Sequence, residues 1–358
     1  MDISRMGPAY QSEGPFATVL LDVGRGTESG AQEQELRVRE AGAELSRIGV
    51  PDDIGELVAG RLAERVETPA PVSRAIVANR DGVVLDEITH QRVDQAAVTW
   101  GPLPDLAGWI QLVDRNLRFA VVLVDHAGGQ VTVYNSDVPE PESETTAGGD
   151  VYHVHKVPVG GWSYLRYQNE TEQVWKRNAE AVVDEARSVV EQGVRLVLVA
   201  GEPDSVGKVQ AGLEKLPATV VRLGAGGRRA DDGGDAARDQ AIRETLIEYV
   251  VERRLQLAHR LKDGLGQASG AVAGIGDVAD AFVSGQVETL LLDPAAAATF
   301  DLKLTDHPGL DLGAVPPDHP LRADQALVAA AARTNAEVAT LPAPALAGTP
   351  AAALLRWQ

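Results

Sequence analysis

Short apolar runs rich in β-branched residues recur along this chain, and segments with helical periodicity lie between them. The clearest runs are FATVLLDV at 16–23, FAVVLVD at 119–125 and RLVLVA at 195–200. Runs of this length and composition are typical of buried strands. Amphipathic helices are predicted at 170–192 and 206–216, on either side of the third run. Because a helix between two strands usually joins them in parallel, this order predicts α/β domains.

The chain divides into three segments. Its 358 residues suggest two or three domains, since about 100 to 200 residues form one domain. The glycine-rich stretch GAGGRRADDGG at 224–234 is typical of a flexible linker. We therefore predict three α/β domains, over residues 1–117, 118–228 and 235–358. Within the second domain, the acidic stretch 137–150 contains no basic residue and is predicted to be a mobile loop.

Composition excludes several classes of protein. The chain has 33 Lys and Arg against 52 Asp and Glu, a formal charge of −19, which argues against non-specific binding of duplex DNA. It has no cysteine, which excludes disulfides, thiol nucleophiles and cysteine zinc sites. No run approaches the roughly 20 apolar residues that span a bilayer. We therefore predict a cytoplasmic protein with neither DNA nor membrane as a partner.

One stretch departs from the acidic trend. Residues 151–178 carry four basic and two acidic residues, and within them 157–169 is predicted to form an irregular, glycine-containing loop before the helix. Gly160 and Gly161 allow the backbone to approach another surface closely, and Arg166 can bind a phosphate through two parallel hydrogen bonds. Contact between this loop and RNA is therefore one of two interpretations that the residues alone leave open. The candidate contact residues are Lys156, Gly160, Gly161, Trp162, Ser163, Arg166, Tyr167 and Gln168.

Other interpretations of these residues stay open. The segment also fits a plain strand-to-helix turn in which Trp162 packs against its own domain. His153 and His155 share one face of a predicted strand, as metal ligands can, but no third ligand follows at a familiar spacing. The chain contains neither a Gly-x-Ser-x-Gly nucleophile turn nor a His-Glu-x-x-His zinc motif. We therefore predict no catalytic residue, no metal site and no cofactor.

Four segments occur in a recognisable order. They are KVPVGGWSYLRYQ at 156–168, RLVLVAGEPDSVGKVQAGL at 195–213, GIGDVADAFVSGQVETLLLD at 274–293 and LAGTPAAALLRW at 346–357. In this order the chain resembles the archaeal and eukaryotic class-1 peptide release factors and Pelota, over about residues 118–358. It more closely resembles their bacterial relatives, the Balon-like ribosome hibernation factors of actinobacteria.

The resemblance implies three α/β domains in a release-factor-like arrangement, shaped roughly like a tRNA, that bind the A site of the 70S ribosome. The first domain would face the decoding centre, and the loop at 157–169 would reach the rRNA of the peptidyl-transferase centre. The third domain would meet a translational GTPase, elongation factor Tu in bacteria. By this analogy the protein would occupy idle ribosomes under stress, which is ribosome hibernation.

One departure from the resembled family bears on catalysis. The release factors carry Gly-Gly-Gln, whose glutamine orders the attacking water, whereas this chain has Gly160-Gly161-Trp162. A Trp side chain donates one N–H and accepts nothing, so it cannot position water as an amide does. Occupancy without catalysis is therefore favoured. The alternatives are a peptidyl-tRNA hydrolase or nuclease acting through Gln168 or His155, and a stress-linked protein that has lost its ribosome contact.

Overall fold

A computed structural model of the chain describes most of its residues. These are residues 1, 3–26, 29–66, 71–138, 140–149, 162–224, 235–267 and 269–357. The chain forms two compact units, one made of Met1–Arg115 with Glu252–Gln358 and the other of Asn116–Val251. None of the helices in the described ranges is long and apolar enough to cross a membrane.

The first part of the chain builds an antiparallel sheet covered by helices. Its elements are α1 (Gly7–Gln11), β1 (Phe16–Asp22), α2 (Gly30–Arg47), α3 (Asp52–Ala63), β2 (Ser73–Asn79), β3 (Gly82–Thr89), β4 (Ala97–Gly101) and α4 (Ala107–Val113). The strand order is β3-β2-β1-β4. β1 is buried at every position but its last because both faces are covered: Val19 packs with α2 and α3, while Leu20 packs with α4.

The middle part of the chain builds a mixed sheet with helices on both faces. Its elements are β5 (Arg118–Asp125), β6 (Gly128–Asn135), β7 (Ser143–Gly148), α5 (Trp162–Glu191), β8 (Leu196–Gly201), α6 (Pro203–Leu213), β9 (Thr219–Arg222) and α7 (Asp235–Gly266). The strand order is β7-β6-β5-β8-β9. β5 pairs with β8, and β8 with β9, in parallel. The predicted parallel pairing is thus confirmed.

The second face of this sheet is covered by α7, a helix that the sequence assigns to the third domain. Ile242 and Leu246 of α7 pack against Leu198 on one face, while α5 and α6 cover the other. The C-terminal half of the same helix, at Leu257 and Leu261, packs in the other unit. One helix of 32 residues therefore contributes to two cores.

The last part of the chain forms a third sheet. Its elements are β10 (Ala271–Ala273), α8 (Ile275–Val283), β11 (Val287–Leu292), α9 (Pro294–Ala297), β12 (Asp301–Leu302), β13 (Leu321–Arg322), α10 (Ala323–Arg333), β14 (Glu337–Thr340) and β15 (Ala351–Leu355). Its main sheet has the order β10-β15-β11-β14. Leu290 and Leu327 share one core with Leu20 and Trp109 of the first part, so these two parts form a single compact unit. The division into three domains stays a prediction.

Two predictions about the middle part were wrong. The acidic stretch 137–150 is not wholly a loop, because β7 lies within it and pairs with β6 along one edge of the sheet. Its side chains are almost all exposed, so no hydrophobic pattern marks the strand. The loop predicted at 157–169 is helical from Trp162 onward. The sequence of α5 contains no Gly or Pro, so no helix-breaking residue interrupts it after Gly161.

A buried charge cluster connects the first and last parts of the chain. Arg322, just before α10, donates to the Asp105 carboxylate over 2.8 Å and also binds Asp324. The Tyr10 hydroxyl is buried and has no hydrogen-bond partner among the described residues. Burial, together with the nearby Asp105 and Asp324 charges, raises the pKa of Tyr10 well above its usual value.

We expect Asp105→Asn to stabilise the protein at pH 7 and to have little effect near pH 3. Burial raises the pKa of Asp105 more than Arg322 lowers it. The stability contributed by Asp105 is therefore complete below its unfolded pKa of about 4 and is lost as the pH rises through its higher folded pKa. Urea denaturation at the two pH values measures the difference.

The matched control is Asp311→Asn. Arg333 and the Gly313 N–H hold the pKa of Asp311 below its usual value, so the sign reverses. Asp311 stabilises above its unfolded pKa and loses this effect as the pH falls through its folded pKa. Equal pH dependence in both variants would contradict the assigned role of burial at Asp105.

Candidate RNA-binding site

The sequence-predicted contact residues fall into two groups. Lys156, Gly160 and Gly161 lie outside the described residues, as do His153 and His155. The rest lie in the first two turns of α5. They are Trp162, Ser163, Arg166, Tyr167 and Gln168. These predicted contacts therefore start a long helix rather than stand on an irregular loop, and their role in binding stays a prediction.

α5 is a long rod attached to the sheet by its C-terminal portion. Its 30 residues span about 45 Å at 1.5 Å per residue. Val182, Ala186 and Val190 are buried against β5, β6 and β8. The helix can lie this close because residue 129 is glycine: a Cβ at Gly129 would stand 2.8 Å from a Val182 methyl group. This packing fixes the axis along which the predicted contact residues lie.

A polar and aromatic cluster contacts α5 nearer to its start. The imidazole of His126 stacks on the indole of Trp175, with ring centres 3.9 Å apart and planes 15° apart. Asn178, itself buried, donates to the His126 carbonyl over 3.0 Å. His126 Nε2 also lies 3.0 Å from Glu202 Oε2. We call His126, Trp175, Asn178 and Glu202 the helix anchor, because they tie α5 to the ends of two strands.

The helix anchor depends on a close approach of β5 and β8 at their carboxyl ends. Gly201 has φ +140°, and a Cβ there would stand 1.8 Å from the Val124 carbonyl oxygen. Only glycine fits such a position. The turn after Gly201 lets the Glu202 N–H donate to that same carbonyl over 3.0 Å. It also brings the Glu202 carboxylate within 3.2 Å of the His126 N–H.

The exposed surface of α5 beside the helix anchor is cationic. Lys176 and Arg177 are exposed. The Lys176 ammonium lies 3.8 Å from Glu180, which is a weak, solvent-screened contact. Arg177 forms no ion pair with any residue in the described ranges, so its guanidinium is free to bind a phosphate. Two exposed cations therefore lie between the anchor residues Trp175 and Asn178, on a chain of formal charge −19.

The contacts of the helix anchor hold α5 in place. His126 and Glu202 form an imidazole–carboxylate pair, and the buried His126 Nδ1 has no hydrogen-bond partner among the described residues. Within that part of the chain, no three His, Asp or Glu side chains lie close enough together to hold a metal ion. The stacked rings and hydrogen bonds restrain α5.

Residues 118–267 match the family model described as bacterial archaeo-eukaryotic release factor family 2. This stretch contains the whole mixed sheet, α5 and the helix anchor. Over this stretch, the chain is similar to the bacterial archaeo-eukaryotic release factors. No curated protein matches the chain.

Several solved structures are similar to this chain at low identity. Archaeal translation termination factor aRF1 is 14% identical, with 97% of this chain and 93% of that chain covered and a TM-score of 0.25. The Pelota of a ribosome-bound archaeal Pelota–ABCE1 model is 14% identical, with 98% and 92% covered and a TM-score of 0.40. Dom34 of S. cerevisiae is 9% identical, with 80% and 79% covered and a TM-score of 0.40.

The helix anchor was not predicted from the sequence. His126 follows β5 and Glu202 follows β8, and these two strands pair in parallel. Groups just beyond the carboxyl ends of neighbouring parallel strands meet at one edge of a sheet, where α/β proteins commonly place their sites. That signal was available in the sequence. No such sequence signal exists for Trp175 and Asn178, because helical periodicity does not show which residues of other elements a helix contacts.

We expect Trp175→Leu to loosen the middle of α5 without unfolding the protein. Loss of the stack on His126 removes about 1 kcal/mol of local stabilisation. Amides at 174–180 should therefore exchange with solvent about fivefold faster in hydrogen-exchange mass spectrometry. The control is Trp357→Leu, since that indole is half exposed at the end of the chain. Unchanged exchange in α5 would contradict the assigned role of the stack.

Proposed function

We propose that this release factor relative is a ribosome-associated factor that occupies the A site without catalysis, as a hibernation factor. The observation that carries the proposal is the Gly160-Gly161-Trp162 sequence, within the family-matched region, of which Trp162 is the first residue of α5. It stands where the resembled release factors have Gly-Gly-Gln. An indole can fill space and stack on a base, but it has no acceptor with which to order an attacking water.

The length of α5 and the position of its buried side chains support its proposed role in contacting rRNA. The buried Val174 lies twelve positions after Trp162, which is about 18 Å along the helix axis. A helix anchored at one end holds its other end at a defined distance, as a probe of rRNA requires. The exposed Lys176 and Arg177 offer positive charge to phosphates near the base of this probe.

The acidic remainder of the chain supports selectivity. A formal charge of −19 repels nucleic acid over most of the surface, so binding must depend on a local cationic contact and on shape. We propose that the first domain faces the decoding centre and that the third meets a translational GTPase, elongation factor Tu. The predicted contact residues would then touch the rRNA of the peptidyl-transferase centre.

We expect Trp162→Ala and Arg166→Glu each to weaken co-sedimentation with 70S ribosomes by about tenfold. The first removes a stacking surface, and the second reverses a charge next to RNA phosphate. The control is Arg187→Glu, the same charge change in the C-terminal half of α5, where Arg187 contacts Asp184. Thermal melting checks that all three fold.

Two outcomes would overturn this part of the proposal. If Trp162→Ala lowers the melting temperature strongly, the indole belongs to the protein core. If the wild-type chain does not co-sediment with ribosomes from stationary cells, the ribosome contact has been lost.

The rival function is a hydrolase that uses Gln168, which lies in α5 two turns after Trp162. We expect no peptide release when the protein is added to ribosomes loaded with peptidyl-tRNA, because no amide stands at the third position of the glycine motif. Release that Gln168→Ala abolishes and Gln173→Ala preserves would establish the rival instead. Gln173 is a suitable control because it is an exposed amide on the same helix.

A further inference from the structure

β4 is an unprotected sheet edge. It is the last strand in the order β3-β2-β1-β4 and pairs only with β1. Proteins usually protect such edges with Lys, Pro, a bulge or a covering segment, because an open edge is a template for another strand. The β4 sequence, AVTWG, has neither a charge nor a proline, and its pairing with β1 runs through all five residues without a bulge.

The register shows which backbone groups of β4 point outward. Val23 donates to the Val72 carbonyl on the β2 side of β1. Groups along a strand alternate between its two neighbours, so the even-numbered residues of β1 face β4. Their partners are Ala97, Thr99 and Gly101. Val98 and Trp100 therefore direct their N–H and C=O groups away from the sheet, where no described residue bonds to them.

Before the first residue of β4, the same edge of the sheet is formed by the end of β1, and a side chain covers it there. Arg37 of α2 donates from Nε to the Asp22 carbonyl over 2.8 Å and from a terminal nitrogen to the Gly24 carbonyl over 2.9 Å. These carbonyls lie on the side of β1 that faces β4. The fold thus caps this edge with a side chain at one end and leaves Val98 and Trp100 open.

A cavity of about 640 Å³ lies beside Val98 on this edge and is also lined by Ala97 and Thr99. One wall is α2, with Glu40 and Glu44. The opposite wall includes Asp105 and Arg322, and the floor is Val98 with its neighbours. Because the walls lie on both faces of the sheet, the space has the form that an additional strand would fill.

The charged side chains that line this groove favour a cationic occupant. Arg37 and Arg322 are engaged by the bonds described above, and Glu44 pairs with Arg47. Glu40 is exposed and forms no ion pair with a described residue. The groove therefore offers one uncompensated carboxylate, that of Glu40, which attracts a cationic side chain.

We infer that the β4 edge binds an extended protein segment that carries Lys or Arg at alternate positions, by strand addition. The backbone of the segment would bond to Val98 and Trp100. Its basic side chains would lie on the α2 side near Glu40, and its small apolar side chains would lie on the other face. This interaction surface is separate from the proposed RNA contact at α5, and its test contains no ribosome.

The test measures binding of a fluorescent heptapeptide of alternating valine and lysine to the full chain by anisotropy. We expect saturable binding that a peptide of alternating valine and glutamate lacks. A valine–lysine peptide with proline in place of its central valine should bind about tenfold more weakly, because it lacks a backbone donor and cannot extend the sheet.

Protein variants locate the site. Glu40→Lys should weaken binding about fivefold, whereas Glu35→Lys, on an exposed position of the same helix beside Arg39, should not. Val98→Pro should weaken it about tenfold. If Val98→Pro unfolds, Thr99→Lys tests the same edge by charge, since Thr99 lines the cavity.

Three results would overturn the inference. The first is an absence of saturable binding by the folded chain. The second is equal weakening by Glu40→Lys and Glu35→Lys, which would indicate non-specific attraction. The third is concentration-dependent dimerisation that Val98→Pro or Thr99→Lys abolishes, which would make a second copy of this chain the occupant.

Discussion

The parallel pairing of β5 with β8 is the constraint on which the middle unit depends. It brings the carboxyl ends of two strands together, and Gly201 makes the contact close enough for Glu202 to bond to both the Val124 carbonyl and His126. The same pairing creates the apolar face on which α5 packs. A change in this pairing would alter the direction of α5 and the support of its start, so the proposed RNA contact depends on it.

The unit formed by the two ends of the chain depends on a different balance. Its core is largely aliphatic and is shared by two sheets. At its edge, Asp105 and Asp324 are buried beside a single Arg322. Burying charge costs free energy unless each charge is paired, and two carboxylates share one guanidinium here. This cluster therefore contributes more to the specificity of packing between the first and last parts of the chain than to stability. Burial raises the pKa of Asp105.

In this protein, the overall surface charge and the local binding surfaces serve different purposes. The chain is acidic as a whole, which suits a factor that must not bind RNA indiscriminately. The places proposed to bind partners are local exceptions to the average surface: the cations near the start of α5, and the open edge of β4. One is suited to phosphate and the other to a basic polypeptide, and both are held by packed, rigid elements.

The sequence alone predicted strands at 16–23, 119–125 and 195–200 and the parallel order of the last two, because a run buried on both faces is largely apolar and can be recognised locally. It also determined the glycine–tryptophan departure from the release factor motif. Only the tertiary structure decided that β7 exists, since its edge position leaves its side chains exposed. Packing also decided that α7 covers the middle sheet and that His126 meets Trp175. These contacts join residues far apart in the chain, and periodicity reports which face of an element is buried but not which element buries it.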